Sequence, residues 1–364
     1  MVCNRKVREL NSGKLKLKYY NKHPPHSYFA LTAKQINLMK MRTYLLFFII
    51  LTWLIMSCRT NEKSDPKFLH DIKEGPTPWT SESFEIEEED FTFAIISDLN
   101  GGEREGVYST AVSQLNRLDP TFVLSVGDLI DGGTEDSLKL SREWDSFEAR
   151  TAKFNMPFFY LGGNHDLTNP KMREFWKNRF GPRYYHFVYE DVLFLMMDSE
   201  DYTETRMLEI YNARAKAIKI IDGEIDGVYE ESEYFSMPER RLGGMSENQF
   251  TYFESVLKKY PKVKWTFVLM HKPLWMREDD KGLGQLETLL SLRNYTVING
   301  HFHSFSHRLR NNMDYMILGT TGGSQALGDS LAFDHVTLVR MAEKPVITHL
   351  KMNGILNEMG EIPD

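Results

Sequence analysis

Short apolar runs alternate with helical patterns of hydrophobic and polar positions along most of the chain from Phe91 onward. The runs "FTFAIIS", "TFVLSVG" and "PFFYLGG" are rich in β-branched and aromatic residues, which is typical of buried strands. Between and after them, the pattern predicts helices at Val107–Leu118, Ser137–Phe154 and Pro170–Phe180. This alternation favours an α/β fold in which helices pack against sheets.

Further strands and two further helices are predicted in the second half of the chain. The runs "YYHFVYE" and "VLFLMMDS" flank Asp191 and predict an antiparallel pair, and Ser246–Tyr260 has a helical pattern. Four more apolar runs predict strands: "KWTFVLMH", "YTVING", "YMILGTT" and "HVTLVRM", with "VITHLKM" as a fifth near the end. Residues 200–244 interrupt the rhythm with a predicted helix, Arg206–Ile220, and an acidic run; they form either an inserted segment near the mouth of a site or a disordered loop.

The segment 39–58 has the layout of an export signal. Lys40 and Arg42 precede an apolar run, Tyr44–Met56, that is too short for a comfortable transmembrane helix. The run ends at Ile55-Met56-Ser57-Cys58, which resembles the bacterial lipobox, so we expect Cys58 to carry a lipid anchor. An ordinary signal-peptide end or a short membrane anchor is the alternative, and all of these predict export to a periplasmic or cell-surface location.

The position of this signal divides the rest of the chain. Met39 or Met41 is the expected initiator, which makes residues 1–38 a non-native upstream extension. Residues 59–90 are polar, with several prolines and the acidic run "EIEEED", and predict a flexible linker. A single catalytic domain is then expected at residues 91–352, followed by a C-terminal tail at 353–364.

Charge and cysteine content restrict the classes of partner. The formal net charge is −7, but residues 1–58 contain ten of the 44 basic and one of the 51 acidic residues. The remainder therefore holds 34 Lys/Arg against 50 Asp/Glu, a net charge near −16. Such an acidic domain lacks the basic stripe that nucleic acids require, so no nucleic-acid partner is expected, and the sequence names no protein partner. With Cys3 upstream and Cys58 lipidated, no disulfide is available to the domain.

Five predicted strands end in side chains that can bind metal. These side chains are Asp98 and Asn100; Asp128; Asn164, His165 and Asp166; His271; and His301 with His303. In an open α/β sheet, ligand-binding residues gather at the carboxyl ends of strands, so these residues can converge. His301 and His303 alternate in a predicted extended segment, which would direct both imidazoles to one centre. The mixture of oxygens and imidazoles, without thiolate, suits Mn, Fe, Zn or Mg in an open, reactive site.

The ordered set Asp98-x-Asn100, Gly127-Asp128, Gly163-Asn164-His165-Asp166, His271 and Gly300-His301-x-His303 resembles the calcineurin-like metallophosphoesterases. The resemblance implies a four-layer sandwich, with two mixed β-sheets face to face and flanked by helices. It also implies two metal ions whose bridging hydroxide attacks phosphorus. Carried over by position, Asp98 and His303 would hold one metal, Asn164, His271 and His301 the other, and Asp128 both.

Position 100 departs from the family's residue pattern, and position 165 has no metal-binding role in it. Asn100 occupies a position that is histidine in the family, so it is either a harder and weaker ligand or a residue that hydrogen-bonds the following glycine turn. His165 matches the family's general acid, and Asp166 is expected to orient it or to raise its pKa, with a helix cap as the alternative.

The sequence therefore predicts an exported, metal-dependent hydrolase of a small phosphomonoester or phosphodiester. The alternative is a surface lipoprotein that keeps the fold as a binding module, which the asparagine at position 100 would favour. No motif supports peptide or carbohydrate hydrolysis on the metal site. We expect residues 200–244 and the loops that follow the strands to determine the substrate.

Overall fold

The computed structural model describes residues 68–84, 90–279 and 281–352. The predicted upstream extension, the export signal with Cys58 and the C-terminal tail lie outside these residues. Within the described ranges, no helix combines the length and the apolar character needed to cross a membrane.

Twelve strands are described, and they form two mixed sheets. The strands are β1 (Phe68–Leu69), β2 (Phe91–Ile96), β3 (Phe122–Ser125), β4 (Phe158–Phe159), β5 (Tyr185–Tyr189), β6 (Val192–Met196), β7 (Trp265–Leu269), β8 (Tyr295–Asn299), β9 (Ser306–Arg310), β10 (Met313–Ile317), β11 (His335–Met341) and β12 (Pro345–Lys351). One sheet has the order β1-β5-β6-β7-β8-β10-β9 and the other β12-β11-β2-β3-β4. The strands β2, β3 and β4 are mutually parallel, as are β6, β7, β8 and β10.

Helices cover the outer faces of both sheets. The α-helices within the described residues are α1 (Val107–Leu118), α2 (Ser137–Thr151), α3 (Asn164–Leu167), α4 (Pro170–Phe180), α5 (Glu204–Ile221), α6 (Glu233–Ser236), α7 (Glu247–Lys259) and α8 (Gly284–Leu290). Short 3₁₀ helices occur at Tyr229–Glu231, Pro238–Arg240 and Leu274–Met276. Asp136, Asn169 and Ser246 cap α2, α4 and α7 by accepting hydrogen bonds from the backbone of the first turn.

The alternation of side chains along the strands creates three buried layers. On β2, Phe93 and Ile95 enter a core between the two sheets, whereas Ala94 and Ile96 pack beneath the helices on the other face. On β6, Phe194 faces the core between the sheets. Leu193 and Leu195 on the same strand face a third cluster that includes residues of α7 and α8. The result is helices, sheet, sheet and helices in sequence, which confirms the predicted α/β four-layer sandwich.

Aromatic rings hold the sheets together. Phe93 and Phe122 of the five-stranded sheet stack with ring centroids 5.4 Å apart. The edge of Phe93 meets Phe194 and Phe267 of the opposite sheet at 5.1 and 5.0 Å. Such edge-to-face pairs add about 0.5–1.5 kcal/mol each to the free energy of burying the rings. This rigid interior fixes the strand ends from which the site is built.

Part of the predicted linker belongs to the fold. Within residues 59–90, the described segment 68–84 adds β1 to the edge of the seven-stranded sheet by antiparallel pairing with β5. Trp79 is buried in the core between the sheets, and Phe68 and Phe84 pack against that core. The prediction of a flexible tether is therefore corrected for this segment, because its aromatic residues are spaced among polar residues and carry no strand-like pattern.

Residues 200–244, here called the excursion, are ordered over their whole length. The predicted helix Arg206–Ile220 is confirmed as α5, one or two residues longer at each end. An isolated parallel bridge joins Glu200 to Gly244, where the excursion leaves and rejoins the sandwich. Buried residues of α5 pack with Tyr234 and Met237 in a small cluster of their own.

Candidate metal centre

The structure brings the predicted residues together at the carboxyl ends of strands from both sheets. Asp98, Asp128 and Asn164 follow β2, β3 and β4 of one sheet, and His271 and His301 follow β7 and β8 of the other. Across the two sheets, His271 Nε2 lies 3.0 Å from Asp128 Oδ2. His303 Nε2 lies 3.2 Å from Asp98 Oδ1. The sheets therefore meet at one polar centre, as the sequence predicts.

Two groups of possible metal ligands share one carboxylate. Asp128, His271 and His301 form the first group, and Asp98, Asp128 and His303 form the second. Within each group, one potential ligand atom from every residue lies within 4.8 Å of the others. A carboxylate with two oxygens can contact one cation on each side, so the shared Asp128 suits a pair of cations.

Each of the three histidines has one ring nitrogen committed to a backbone carbonyl. His271 Nδ1 donates to Val126 at 2.9 Å, His301 Nε2 to Arg240 at 2.9 Å, and His303 Nδ1 to Ser324. A carbonyl can only accept, so the proton position is set by the partner. When it is deprotonated, the second nitrogen of each ring presents a lone pair to the centre. This is the usual arrangement of histidines that bind metal, so the residues fit the metal ions that the resemblance implies.

The electrostatics of the centre favour cations. Burial would lower the pKa of His271, but the Asp128 carboxylate raises it to about 9. In the same way, Asp98 outweighs burial and raises the pKa of His303 to about 9. Burial raises the pKa of Asp128, yet His271 and the neighbouring histidines hold it well below its usual range. Protons on the histidines therefore balance the negative charge of the buried carboxylates in the metal-free protein. Divalent cations can replace these protons.

Left-handed backbone marks four of the predicted ligands. Asp98, Asp128, His301 and His303 have φ values of 48°, 58°, 76° and 55°. Residues with a Cβ adopt this conformation rarely, and it concentrates at functional sites. The prediction that His301 and His303 alternate in an extended segment is therefore wrong, because the chain turns at each of them. The turns direct the two imidazoles into different ligand groups.

The two asparagines differ in their bonding. Asn164 Oδ1 is buried without a hydrogen-bond partner in the described structure, as expected for an atom that faces a cation. Asn100 is also buried, but its Nδ2 donates to the Leu129 carbonyl at 2.6 Å rather than to the glycine turn that follows it. Only its Oδ1 can therefore serve as the ligand atom.

His165 is held beside this centre with a defined tautomer. Its backbone N–H donates to Asp128 Oδ1 at 2.8 Å. Its Nδ1 donates to the Asp131 carbonyl at 2.7 Å, so its Nε2 is the acceptor for the Arg214 guanidinium at 3.1 Å. Burial lowers the pKa of His165, Asp128 opposes this effect and Arg214 adds to it. The imidazole is therefore neutral in the free protein.

Asp166 caps the short helix α3, which is the alternative that the sequence leaves open for it, whereas the predicted orienting role falls to another group. Its carboxylate accepts backbone hydrogen bonds from Gly163 at 2.7 Å, Leu129 at 2.9 Å and Ile130 at 3.2 Å. It thus ties the loop after β3 to the loop after β4, and the Asp131 carbonyl orients His165 in its place. Burial, with a contribution from Asp128, raises the pKa of Asp166 to about 7.

Comparison with known families agrees with this geometry. The model of the calcineurin-like phosphoesterases matches residues 91–305, which is more than half of the chain. The chain belongs to the calcineurin-like phosphoesterase family. Members of this family act on phosphoric ester bonds, and the family is typically dependent on a dinuclear metal centre.

Two individual relatives of this calcineurin-like phosphoesterase are informative. A protein of Arcobacter nitrofigilis named "Probable glycerophosphodiester phosphodiesterase GpdQ" is 28% identical over 158 residues, 43% of either chain. The chain thus matches less than half the length of that relative. A crystal structure of a dimetal phosphatase from Danio rerio superposes with a TM-score of 0.51 and 16% identity. That match covers 71% of this chain and 95% of the other, and it shows the shared fold.

Some functional groups of this calcineurin-like phosphoesterase escape sequence reasoning. The carbonyls of Val126, Asp131, Arg240 and Ser324 carry no side-chain signal, because every residue has the same backbone acceptor. Arg214 is one of several basic residues on a helix within the excursion, and the sequence pattern does not distinguish it from the others. Its place becomes evident only when α5 is packed against the site.

Proposed function

We propose that the protein hydrolyses a small phosphomonoester or phosphodiester with the help of two divalent metal ions. The observation that supports this proposal best is the pair of ligand groups that share Asp128. Asp98 and His303 would hold one ion, and Asn164, His271 and His301 the other, with Asn100 contributing its Oδ1 beside the first. Mn, Fe, Zn and Mg all suit these oxygen and imidazole ligands.

The protein groups have separate tasks in this reaction. Bound divalent ions would supply Lewis-acid stabilisation of the phosphoryl oxygens and the activation of water. Asp98 and Asp128 hold the positive charge at a fixed point, and the three histidines keep one lone pair each directed at it. The fully buried side chains of Phe93 and Phe122 help to exclude water from the core between the sheets. The P–O bond to the leaving group breaks as a new P–O bond forms from water.

His165 is the proposed general acid. The Asp131 carbonyl fixes Nδ1–H, so a proton taken up at Nε2 is the one delivered to the departing oxygen. For this, Arg214 must first release Nε2, and a bound anionic ester gives its guanidinium another acceptor. The negative charge of the ester also favours protonation of the imidazole.

Export and lipid anchoring belong to the same proposal. Their support is the basic start of the segment 39–58, its short apolar run and the lipobox-like end at Cys58. The enzyme would then act on small esters outside the cytoplasm, in the periplasm or at the cell surface. The name of the Arcobacter relative supports a phosphodiester among the candidate substrates.

Hydrolysis of two esters with different leaving groups tests the role of His165. In the presence of Mn²⁺, Zn²⁺, Fe²⁺ or Mg²⁺, the purified protein should hydrolyse both 4-nitrophenyl phosphate and glycerol 3-phosphate. His165→Gln should lower kcat/KM for the alkyl ester by about 10²–10⁴-fold, because an alkoxide needs a proton to leave. The loss should be much smaller for the nitrophenyl ester, whose leaving group is stable as an anion.

The exposed His307, which pairs with Asp314, provides a matched control. His307→Gln should hydrolyse both esters at the wild-type rate, and elemental analysis should show two metal ions per chain in all three proteins. An equal loss on both esters would exclude His165 as the acid. Failure of the wild-type protein with every metal, on these esters and on bis(4-nitrophenyl) phosphate, would overturn the proposed reaction and favour a binding lipoprotein.

A further inference from the structure

Arg214 reaches the centre from outside the two sheets. It lies on α5 of the excursion, and its Nη2 donates to His165 Nε2 at 3.1 Å. Its Nη1 lies beside the loop after β3, at 3.1 Å from the position that a Cβ would have on Gly133. The guanidinium therefore stands between the helix of the excursion and the imidazole at the edge of the metal centre.

The charge of Arg214 has no carboxylate partner within the described residues, where no Asp or Glu oxygen lies within 4.0 Å of its guanidinium nitrogens. Arg206, two turns earlier on the same helix, shows the contrast. It donates to both oxygens of Glu239, at 3.2 and 2.9 Å, and to Glu209 at 2.8 Å. A half-buried cation that bonds to an imidazole nitrogen and to no carboxylate is available to bind an anion.

Gly101 lies beside the imidazole that Arg214 contacts. Gly101 has no side chain, and a Cβ placed there would lie 3.6 Å from both His165 Nε2 and His303 Nε2. The two nitrogens thus lie close to the same point. One belongs to the proposed acid and the other to a proposed metal ligand, so the Arg214 guanidinium stands next to the groups between which the proposed reaction takes place.

The helix holds Arg214 in a fixed place. Thr203 caps α5 by accepting a hydrogen bond from Arg206 N. Met207, Ile210, Ala213 and Ala217 are buried and anchor the helix through its inner face. A group on a rigid element is positioned more precisely than one on a loop, which suits recognition of a small ligand.

We propose that Arg214 binds the phosphoryl group of the substrate. Its guanidinium leaves His165 Nε2 and donates two parallel hydrogen bonds to the non-bridging oxygens, a geometry that matches phosphate. Since monoesters have three such oxygens and diesters two, Arg214 would serve either substrate class and would also bind the phosphate product. This inference rests on the proposed function and assigns a substrate-binding role to the excursion.

Binding of inorganic phosphate tests the assignment without turnover. Isothermal titration calorimetry on the metal-loaded full chain should show that Arg214→Ala weakens phosphate binding by about ten- to hundredfold. Arg214→Lys keeps the charge but loses the paired geometry, and it should recover part of that affinity. Lys216→Ala, which removes an exposed cation from the same helix, should bind phosphate within about twofold of the wild type.

Kinetics and metal content complete the test. With either ester, Arg214→Ala should raise KM and the inhibition constant of phosphate together, while metal content and circular dichroism stay as in the wild type. A lower kcat with unchanged phosphate affinity in both Arg214 variants would overturn the proposal, because it would mean that Arg214 only orients His165. If the wild type hydrolysed no ester but lost phosphate binding on substitution of Arg214, the reaction would be refuted and the phosphate site supported.

Discussion

At the scale of single residues, the centre combines ligand chemistry with unfavourable backbone geometry. Asp98, Asp128, His301 and His303 all lie in the left-handed region. Each such residue costs about 1–3 kcal/mol, and it persists only where the surrounding packing leaves no alternative. The protein therefore maintains its ligand geometry at the expense of stability, and the core between the sheets offsets this cost.

Gly132 illustrates how closely the loops of the site approach one another. Its φ is 51°, and a Cβ at this position would lie 1.7 Å from the His165 carbonyl oxygen. Gly132→Ala should lower the free energy of unfolding by about 2–4 kcal/mol, because strain and a backbone clash act together. Urea unfolding followed by circular dichroism measures this change.

Gly223 provides the matched control for that substitution. Its φ is 71°, but no atom lies within 4 Å of the Cβ position. Gly223→Ala therefore introduces the same kind of strain without the clash and should cost about 1–2 kcal/mol. If the two variants were equally stable, the close contact between Gly132 and His165 would be refuted.

The residue types of the site could be predicted from the sequence, but their hydrogen-bond partners could not. Carboxylates and imidazoles after predicted strands identified Asp98, Asp128, His271 and their neighbours, because strand ends of a sheet converge whatever the loops do. The orientation of His165 was not predictable. It depends on the Asp131 carbonyl and on Arg214, which lies on α5, 49 residues further along the chain than His165.

At the scale of elements, caps and cross-links fix the loops that carry the site. Asn169 is fully buried and joins two of them. Its Oδ1 accepts a hydrogen bond from Met172 N at 2.9 Å at the start of α4. Its Nδ2 donates to the Thr134 carbonyl at 3.0 Å in the loop after β3. The helix start and the loop that orients His165 are thereby coupled.

Asn169→Ala should lower the free energy of unfolding by about 2–3 kcal/mol, since it removes a fully buried cap and leaves the half-buried Thr134 carbonyl without this donor. Asp136→Ala removes the cap of α2, which accepts from Leu138 N and Lys139 N at an exposed position. It should cost only about 1 kcal/mol. Equal losses in urea unfolding would indicate that the link from Asn169 to Thr134 contributes nothing.

The elements that sequence patterns identified are those with a buried face. The strands from β2 to β8 were predicted from their apolar runs, and the helices α1, α2, α4, α5 and α7 from their periodicity. The strand β9 was missed because it is an edge strand whose last four residues are exposed, so it lacks an apolar run. The helix α8 has only seven residues, too few for a reliable helical period.

At the scale of the whole molecule, buried neutral histidines predict sensitivity to acid. Burial lowers the pKa of His335 on β11 to about 4, and the neighbouring His349 adds to this effect. Burial also lowers the pKa of His349 on β12 to about 4. In the unfolded chain these groups return to the ordinary value near 6.5. The unfolded state therefore binds more protons between about pH 6.5 and pH 4, and stability falls as the pH falls through this window.

His335→Gln isolates this contribution. Between pH 7 and pH 4.5, the wild type should lose about 2 kcal/mol more unfolding free energy than the variant, because only the wild type must keep a buried imidazole neutral. Urea unfolding at the two pH values gives the difference. Parallel losses in both proteins would show that the folded state accepts the proton on His335 without penalty.

The two ends of the excursion lie side by side, and this arrangement affects how the sequences of such proteins can diverge. Its ends meet at the bridge between Glu200 and Gly244, while residues 221–228 at its far end are exposed on every side chain. Between its two ends and its tip, the excursion contributes the Arg214 guanidinium beside His165. It also contributes the Arg240 carbonyl that orients the His301 ring. Natural selection should therefore act unevenly over some forty residues: mutations can accumulate freely at the tip, whereas substitution of Arg214 would remove the guanidinium beside His165.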